Sequence, residues 1–404
     1  MKAASTVQRV LQDDLCSGCG LCAGVSGGAI EMAVAPPGFN RPVVKGAIDP
    51  RAEAVIADSC PGSRVAPWRS DLPPSPYWGP AETILTGHAH DETVRFAGSS
   101  GGAITALLLF ALESGLVDRV VQVNADPAFP TRNRILVSRT AEEVLAAAGS
   151  RYAASSPLAS IIEELERGGC FAFVGKPCDI SALRQLAKHD ARVDRHIPVK
   201  LSFFCGGIPS HRGAENILAE MGLGDAPLAE FRYRGNGWPG LATARTADGQ
   251  TAQMSYARSW GHHLSKEVQF RCKVCPDAVG GAADIACADA WYGGESGYPQ
   301  FDEQDGRSLI MVRSTVGRTL LDKAVASGRL EAAPLAEGEI VLMQPAQARR
   351  KRLVKARFAA MRLAGRKPPR VEGLLVDEAS RRAGLVEKLR NFAGTFRRVM
   401  AARP

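Results

Sequence analysis

Hydrophobic positions between about residue 80 and residue 335 follow two alternating periods. Apolar residues three and four apart predict amphipathic helices, and short runs rich in β-branched residues predict buried strands. Helices are predicted at 102–114, 140–148, 157–167 and 179–189, and strands at 117–123, 134–138, 170–174 and 198–204. This alternation predicts an α/β fold around a mainly parallel or mixed sheet, with an α+β arrangement as the alternative.

The first 70 residues have a sparser pattern. Residues 29–34 alternate like a short strand, and 42–44 can pair back with it after a proline turn. Residues 51–57 predict a short helix. The proline-rich stretch at 67–80 indicates a linker, so a small module at 1–70 precedes a larger domain at 71–335.

The remaining residues, 336–404, are predicted to form a basic helical tail. From Arg349 onward the tail holds 17 Lys and Arg against 4 Asp and Glu, whereas the whole chain has a net charge of only +8. A basic amphipathic helix at 386–398 indicates an anionic partner such as a membrane surface or an acidic protein. The plainer alternative is a solvated helix resting on the body. Aromatic residues do not interleave with the basic run, so nucleic acid is not expected.

Length and composition are those of a folded globular protein. The chain has 404 residues, of which 45% are hydrophobic and 23% are charged. No apolar run approaches the roughly 20 residues of a membrane-spanning helix, and the N-terminus lacks the apolar core of a secretory signal. We therefore expect a cytoplasmic protein, in which the ten cysteines serve as ligands rather than as disulfides.

The first group of cysteines is Cys16, Cys19 and Cys22, at two-residue gaps with glycines between them. Iron–sulfur clusters take thiolate ligands, usually four, and this run has the bacterial ferredoxin spacing without its fourth cysteine. Cys60 is the nearest candidate for that fourth ligand. Zinc is the weaker alternative, because no histidine occurs in this part of the chain. The group predicts a [4Fe–4S] cluster in the N-terminal module.

Four further cysteines lie where predicted strands end or loops begin, namely Cys178, Cys205, Cys272 and Cys275. Ligands collect at the carboxyl ends of the strands in an α/β sheet, so these thiols can converge there. A thioredoxin-like role for the C-x-x-C pair is the alternative, but it leaves the two single cysteines unexplained. We predict a second [4Fe–4S] cluster on these four residues. Cys170 and Cys287 are expected to be structural.

Two short polar turns are candidate binding segments. Residues 98–102, Gly-Ser-Ser-Gly-Gly, precede an apolar helix, where small residues let backbone amides approach an anion. Residues 149–152, Gly-Ser-Arg-Tyr, offer a cation and an aromatic ring to a flavin. Each turn is equally compatible with a plain helix cap, and the first lacks the lysine of a phosphate-binding P-loop.

In their order along the chain, these motifs resemble the beta subunits of deazaflavin-coenzyme (F-420) hydrogenases and dehydrogenases. Relatives of that family include 8-vinyl chlorophyllide reductase and 7-hydroxymethyl chlorophyll a reductase. Further motifs that carry the resemblance are Gly-Lys-Pro-Cys at 175–178, Phe-Cys-Gly-Gly at 204–207, Tyr-Arg-Gly at 233–235, Ala-Asp-Ile at 283–285 and Asp-Ala-Trp at 289–291. The resemblance covers about 10–335.

The resemblance implies a ferredoxin-like iron–sulfur module followed by an α/β flavin domain with a mixed sheet. It implies FAD beside two [4Fe–4S] clusters, with the later four cysteines nearest the flavin. The implied flavin contacts are Ser99, Ser100, Gly101, Gly102, Ser150, Arg151, Tyr152 and Lys176. No segment matches one that would mark a chlorophyll-type or deazaflavin substrate, so the substrate stays open.

The expected function is electron transfer between a one-electron donor, ferredoxin or another redox protein, and a small-molecule substrate. A flavin links the one-electron chemistry of clusters to the two-electron chemistry of organic substrates. Candidate proton donors are Asp277, Asp289 and His211. The alternatives are a non-catalytic electron-relay subunit and a zinc-bound protein that uses the basic tail for nucleic acid.

Overall fold

The computed structural model describes residues 4–68, 71–72, 74–293, 300 and 302–401. The N-terminal module consists of α1 (Thr6–Gln12), α2 (Leu21–Val25), β1 (Ile30–Ala35), β2 (Phe39–Val44), α3 (Pro50–Ser59) and β3 (Arg64–Val65). β1 and β2 form the predicted antiparallel ribbon, in which Ile30 faces Val44. The α3 helix starts with a proline in its first turn and a capping carboxylate from Asp49, and it ends directly before Cys60.

The larger domain alternates strands and helices, as the hydrophobic pattern predicts. Its first half contains β4 (Pro74–Ser75), β5 (Gly79–Pro80), β6 (Thr83–Ala89), α4 (Glu92–Ala97), α5 (Ala103–Glu113), β7 (Arg119–Ala125), β8 (Asn133–Ser138), α6 (Ala141–Ala146) and α7 (Ile161–Glu166). The predicted linker at 67–80 includes the β4–β5 pair, while its residues 69, 70 and 73 lie outside the described residues.

The second half continues the alternation and adds a small antiparallel sheet. It contains β9 (Phe171–Gly175), α8 (Pro177–Leu186), α9 (Arg192–His196), β10 (Val199–Phe203), α10 (His211–Glu220), β11 (Leu228–Arg232), β12 (Leu241–Thr246), β13 (Thr251–Ser255), α11 (Tyr256–Arg258), α12 (Phe270–Lys273), β14 (Ile285–Asp289), β15 (Ser308–Val312), α13 (Thr315–Ala326) and β16 (Leu330–Pro334). A π-helical turn (Ser259–Leu264) follows α11.

An eight-stranded mixed sheet organises this domain, with strand order β16-β6-β15-β14-β10-β9-β7-β8. The central neighbours β14, β10, β9 and β7 run parallel, whereas the outer pairs are antiparallel. The predicted α/β fold is confirmed in its mixed-sheet form. Because the four central strands are parallel, their carboxyl ends meet at one edge, where ligands collect in such sheets.

The core lies between this sheet and the helices on its faces. On one face, Leu107 and Ala111 of α5 are fully buried against Val120, Leu201 and Ile310 of the sheet. Burying a large aliphatic side chain contributes about 1.5–3 kcal/mol, so this apolar helix is fixed firmly on the sheet. This packing holds the first turn of α5 at the edge where the carboxyl ends of the four central strands meet.

The predicted helix at 157–167 is shorter in the structure. Residues 157–160 form turns, and α7 begins only at Ile161. The backbone N–H of Leu158 donates to the carbonyl of Cys19 at 3.0 Å. At Leu158, therefore, the backbone bonds to the N-terminal module, while Ala159 and Ile161 make local turn hydrogen bonds.

The tail consists of a 3-10 turn (Glu337–Glu339), α14 (Ile340–Met343), α15 (Pro345–Leu363), β17 (Arg370–Val371), α16 (Val376–Arg381) and α17 (Leu385–Ala401). The plainer alternative was a solvated helix that rests on the body, but the tail packs into the rest of the protein. Val354 and Phe358 of α15 pack with Val10 and Leu15 of the N-terminal module, and β17 pairs with β3. None of the described helices has the length and apolar character needed to cross a membrane.

Candidate functional site

The N-terminal thiol set consists of Cys16, Cys19, Cys22 and Cys60. The first three lie on the loop that leads into α2, and Cys60 directly follows α3. Gly18 and Gly20 bend the loop with φ values of 77° and 87°, which glycine adopts without strain. Backbone N–H groups approach the sulfurs from Gly18, Leu21, Ala23, Gly62 and Ser63.

These four thiols lie close enough to influence each other's ionisation. Burial, followed by the nearby Cys60, raises the pKa of Cys19 to about 12. Burial, followed by Cys16, raises the pKa of Cys60 to about 11. The pKa of Cys22 is raised by burial and then by the other three thiols. Four thiolates gathered in a buried site require a compensating cation, which is what bound metal supplies.

The second thiol set consists of Cys178, Cys205, Cys272 and Cys275. The parallel neighbours β9 and β10 end shortly before Cys178 and Cys205, so both thiols lie at the same edge of the sheet. Burial, followed by the nearby Cys272, raises the pKa of Cys205 to about 12, with a smaller effect from Cys275. Cys205 in turn contributes to the raised pKa of Cys178, after burial and Asp179. The structure thus brings these four thiols together from three separate parts of the chain.

Gln269 connects the two thiol sets. Its buried side chain donates from Nε2 to Cys272 Sγ at 3.4 Å and to the Ser17 carbonyl at 3.5 Å. Its Oε1 accepts a hydrogen bond from Arg41 Nη1 at 3.0 Å. Cys19 also lies near enough to Cys178 to raise the pKa of that thiol. The two sets are therefore neighbours.

The cysteines of both thiol sets are reduced. The ten cysteines of the chain form no disulfide. Across the described ranges, no three His, Cys, Asp or Glu side chains are grouped as ligands of one metal ion.

A cavity of about 1150 Å³ lies beside the second thiol set, with Cys205 and Cys272 in its wall. The predicted flavin-binding residues that line it are Ser99, Ser100, Gly102, Ser150, Arg151, Tyr152 and Lys176. Gly101 is not in the wall; a Cβ there would lie 2.7 Å from the Gly87 carbonyl oxygen, so this glycine lets the turn pack on β6. The two polar turns predicted from the sequence thus face one cavity.

The N-terminus of α5 opens onto this cavity. Gly102 precedes the helix with a φ of 71°, and no side chain caps it. Gly102 and the first turn, residues 103–105, line the cavity. An uncapped N-terminus of an 11-residue helix presents backbone N–H groups and a partial positive charge. This end of the cavity is suited to a phosphate group.

Two cationic side chains that were predicted to contact the flavin already bind other groups of this chain. The Arg151 guanidinium donates to Asn133 Oδ1 and to the backbone carbonyls of Pro130, Arg132 and Phe231. Lys176 Nζ pairs with Asp179 at 2.8 Å and donates to Ser155. Both side chains therefore shape the cavity wall through contacts within the chain.

Of the three candidate proton donors, only Asp289 borders the large cavity. Arg234 donates to both of its carboxylate oxygens at 2.7 and 2.8 Å, and Trp238 Nε1 donates to one of them at 2.8 Å. These three hydrogen bonds fix the orientation of the carboxylate. Asp289 is therefore a firmly held hydrogen-bond acceptor at the end of β14.

The other two candidates lie elsewhere. Asp277 accepts hydrogen bonds from the backbone N–H groups of Val279 and Gly281, close to Cys275. His211 begins α10, and burial followed by Arg132 lowers its pKa. Cys287 is buried in β14, as expected for a structural cysteine, whereas Cys170 is half-exposed just before β9.

Sequence reasoning missed two groups of residues in the cavity wall. The first is an aromatic group, Tyr256, Trp260 and Trp291. Trp291 stacks on Trp238 at 4.6 Å, and Arg234 lies over the Tyr256 ring at 4.3 Å. The motifs at 233–235 and 289–291 were the available signal for this group. The second is a set of arginines from the tail, for which no local motif exists.

Comparison with known proteins assigns the chain to a family. The family model for the N-terminal part of the coenzyme F420 hydrogenase/dehydrogenase beta subunit matches residues 84–163, and the model for its C terminus matches 169–338. The chain is 28% identical to the coenzyme F420 hydrogenase subunit beta of Methanosarcina barkeri over 271 residues, which are 65% of this chain and 85% of that protein.

A more distant relative is the chloroplastic 7-hydroxymethyl chlorophyll a reductase of Oryza sativa, with 24% identity over 58% of this chain and 47% of that protein. Among solved structures, a chain of the F420-reducing [NiFe] hydrogenase complex from Methanosarcina barkeri has the same fold, with a TM-score of 0.54 and 24% identity. That match covers 74% of this chain and 99% of the other. This chain belongs to the family of coenzyme F420 hydrogenase/dehydrogenase beta subunits.

Proposed function

We propose that the chain is an oxidoreductase that transfers electrons between a redox protein, such as ferredoxin, and a small organic substrate. Two [4Fe–4S] clusters and FAD are the proposed cofactors. The observation that carries the proposal is the position of the second thiol set, which borders the N-terminal set on one side and the large cavity on the other. Redox groups held in this order would form one continuous path.

Cys16, Cys19, Cys22 and Cys60 would hold the outer cluster, and Cys178, Cys205, Cys272 and Cys275 the inner one. The support for this assignment is that the thiols are buried and that backbone N–H groups approach their sulfurs. Such hydrogen bonds and burial are the means by which proteins adjust cluster potentials.

The cavity would hold FAD, which when bound links one-electron and two-electron chemistry. The uncapped first turn of α5 would bind the pyrophosphate, and Ser99, Ser100 and Ser150 would supply hydroxyl groups nearby. The cavity exceeds the usual range of about 300–1000 Å³ for small-molecule sites. That size leaves room for a substrate, a deazaflavin or another reducible organic compound, beside the flavin.

The residues around Asp289 would organise the substrate side of this cavity. Asp289 fixes Arg234 and Trp238, and Arg234 in turn lies against the rings of Tyr256 and Trp291. Burial keeps the pKa of Tyr256 well above its ordinary value, so its hydroxyl stays a neutral donor. The proposed role of Asp289 is therefore positioning, while Asp277 and His211 do not line the cavity and so have no support there for a proton-transfer role.

Anaerobic purification followed by metal, sulfide and flavin analysis tests the proposal. We expect about eight iron and eight sulfide per chain, extractable FAD, and a visible absorption that bleaches on reduction. Cys170→Ser is the matched control, because Cys170 belongs to neither thiol set and should leave the iron content unchanged. Zinc without sulfide would refute the cluster assignment, and clusters without flavin would refute the FAD assignment.

A second candidate is a relay subunit that carries electrons for a larger enzyme without turning over a substrate itself. The names of the matched relatives favour it, since they are beta subunits of hydrogenases. Reduction of coenzyme F420 or another acceptor by the isolated chain with reduced ferredoxin would support the oxidoreductase proposal. Rapid cluster reduction, with no acceptor reduced until a partner subunit is added, would support the relay.

A further inference from the structure

The last helix of the tail, α17, is only partly covered by the rest of the protein. Near its end, Val399 is buried in the cluster that contains Phe358 and Met361 of α15. Other apolar residues of α17 are exposed along its whole length, namely Leu385, Val386, Leu389, Ala393 and Met400. The first three of these side chains are 72%, 62% and 58% exposed. The helix therefore packs on the body with one edge and leaves much of its apolar side uncovered.

The five exposed apolar residues of α17 lie in one row, which we call the apolar stripe. Their separations of three, four and seven positions place them on the same side of an α-helix. With a rise of 1.5 Å per residue, the stripe from Leu385 to Met400 is about 22 Å long. Single exposed apolar side chains are common on protein surfaces, whereas a continuous row of them indicates an interaction site.

Basic side chains border the apolar stripe. Arg390 and Arg397 are exposed, and each lies four positions after a residue of the stripe, which places it beside the stripe on the helix surface. Neither side chain has an ion pair or hydrogen bond with another described residue. Glu387 is the one acidic residue of α17, and it pairs with Arg349 and Arg352 of α15 at 3.0 Å each. The outward side of α17 is therefore apolar and positively charged.

We propose that α17 docks this protein on the surface of an anionic lipid bilayer. The apolar stripe would enter the boundary between headgroups and acyl chains, and Arg390 and Arg397 would lie among the lipid phosphates. A helix with leucines on one side and arginines beside them has the character of helices that lie in the plane of a membrane interface.

The charge beside the stripe favours lipid over the other possible partners. A second copy of α17 would bring the same arginines into the contact and would supply no opposite charge. An acidic protein would supply the charge, but it would also need an apolar groove about 22 Å long to cover the stripe. An anionic bilayer supplies both the negative charge and the apolar layer.

This inference goes beyond the proposed function and does not depend on it. The family models match segments that end at residue 338, so α17 lies outside both of them. Membrane docking would therefore be a property that the tail adds to the family-type domain. Asn391 and Arg398 of the same helix line the large cavity. Docking through the apolar stripe would thus hold that cavity close to the membrane surface.

Vesicle flotation with the full-length holoprotein tests the inference. One set of vesicles is an equimolar mixture of phosphatidylcholine and phosphatidylglycerol, and the other is phosphatidylcholine alone. We expect the protein to float with the anionic vesicles, to bind the neutral vesicles far more weakly, and to dissociate as KCl is added, because salt screens the arginines. Leu385→Ser/Leu389→Ser should lower the affinity for anionic vesicles by at least about tenfold, because two leucines no longer enter the lipid.

Val316→Ser/Val325→Ser is the matched control. Both valines are on α13, where they are 45% and 39% exposed, so the pair removes two exposed aliphatic side chains outside the tail and should leave binding unchanged. Arg390→Gln/Arg397→Gln isolates the electrostatic part, and it should lower the affinity for anionic vesicles about tenfold without changing the weak binding to neutral ones. Circular dichroism and iron content should match the wild type in all three variants, because every altered side chain is exposed.

Three results would overturn the inference. The first is equal vesicle binding by the leucine variant and the valine control, which would mean that another surface contacts the lipid. The second is equal binding to neutral and anionic vesicles, which would leave the arginines without a role. The third is no binding to anionic vesicles; loss of self-association or of ferredoxin affinity in the leucine variant would then identify a second copy or an acidic protein as the partner. Iron, sulfide and FAD, measured on the same samples, test the proposed function separately.

Discussion

The two thiol sets lie side by side, yet the chain builds them in different ways. The N-terminal set takes three of its four cysteines from seven consecutive residues, and α3 delivers the fourth. The second set takes two cysteines from the ends of two parallel strands, one from α12 and one from just beyond it. Cys178 and Cys275 are nearly 100 residues apart in sequence. A local loop forms most of the first set, whereas the strand order of the sheet brings the second set together.

The tail contacts both sets, but with different chemistry. Near the N-terminal set it offers apolar side chains, since Phe358 and Val399 pack with Leu15 and Cys16. Near the second set it offers cations, since Arg350 donates to the Cys205 and Gly206 carbonyls and Lys351 donates to the Pro276 carbonyl at 2.7 Å. Positive charge beside the proposed inner cluster would favour its more reduced, more negative state, whereas apolar packing beside the proposed outer cluster would not.

The largest expected effect comes from removing one ligand of each set. Cys22→Ser and Cys205→Ser should each lose about half of the iron, because the two proposed clusters would have separate ligands. Cys22→Ser should keep its flavin and lose reduction by ferredoxin. Cys205→Ser should also lose flavin, because Cys205 lines the cavity. Iron assay and flavin extraction check this, and loss of all iron in Cys22→Ser would show that the sets are not independent.

Arg350→Gln should weaken the second set more than the N-terminal set. The substitution removes two charged hydrogen bonds to the carbonyls that frame Cys205, at a cost of about 1.5–3 kcal/mol in unfolding free energy. Arg362→Gln, on the exposed side of α15, is the control. Urea unfolding and the rate of iron loss to a chelator measure the effect. Equal behaviour of the two variants would contradict the role given to the tail.

Gln269→Ala should loosen the contact between the two sets. It removes the buried hydrogen bonds to Cys272 and Ser17 and leaves Arg41 without that partner, so we expect a loss of about 1–3 kcal/mol. Gln253→Ala, on the exposed face of β13, should change stability by less than about 0.5 kcal/mol. Thermal unfolding of both variants provides the measurement. A Gln269 variant as stable as its control would mean that the sets are held together by other contacts.

The smallest expected effect concerns the ionic attachment of α17. Hydrogen bonds from Arg352, and then Arg349, hold the pKa of Glu387 below its usual 4.5. Folding therefore favours the ionised carboxylate, so this stabilisation is complete above pH 4.5 and disappears as the pH falls through the lowered pKa. Because the pair is partly exposed, Glu387→Gln should cost less than about 1 kcal/mol at pH 7. Stability curves of variant and wild type should converge in acid; a constant gap would contradict the assignment.

Much of the candidate site follows from local sequence. The gaps of Cys16–Cys22, the glycine-rich turn at 98–102 and the strand ends before Cys178 and Cys205 are all encoded within a few residues. The shortened helix before Ile161 was not predictable, because Leu158 in the turn before it bonds to Cys19, more than 130 positions away in the chain. A local pattern also could not predict that Arg151 donates hydrogen bonds to backbone carbonyls distant in sequence.

The sequence by itself determined the type of fold, the family and the two groups of thiols, because periodicity and motif spacing are local and survive without coordinates. Only the tertiary structure decided that the two groups are adjacent, that both polar turns face one cavity, and that arginines of the tail line that cavity. Those facts depend on strand order and on packing between distant segments. That packing fixes which side of the tail contacts the body. The basic composition of the tail, taken alone, favoured an exposed position.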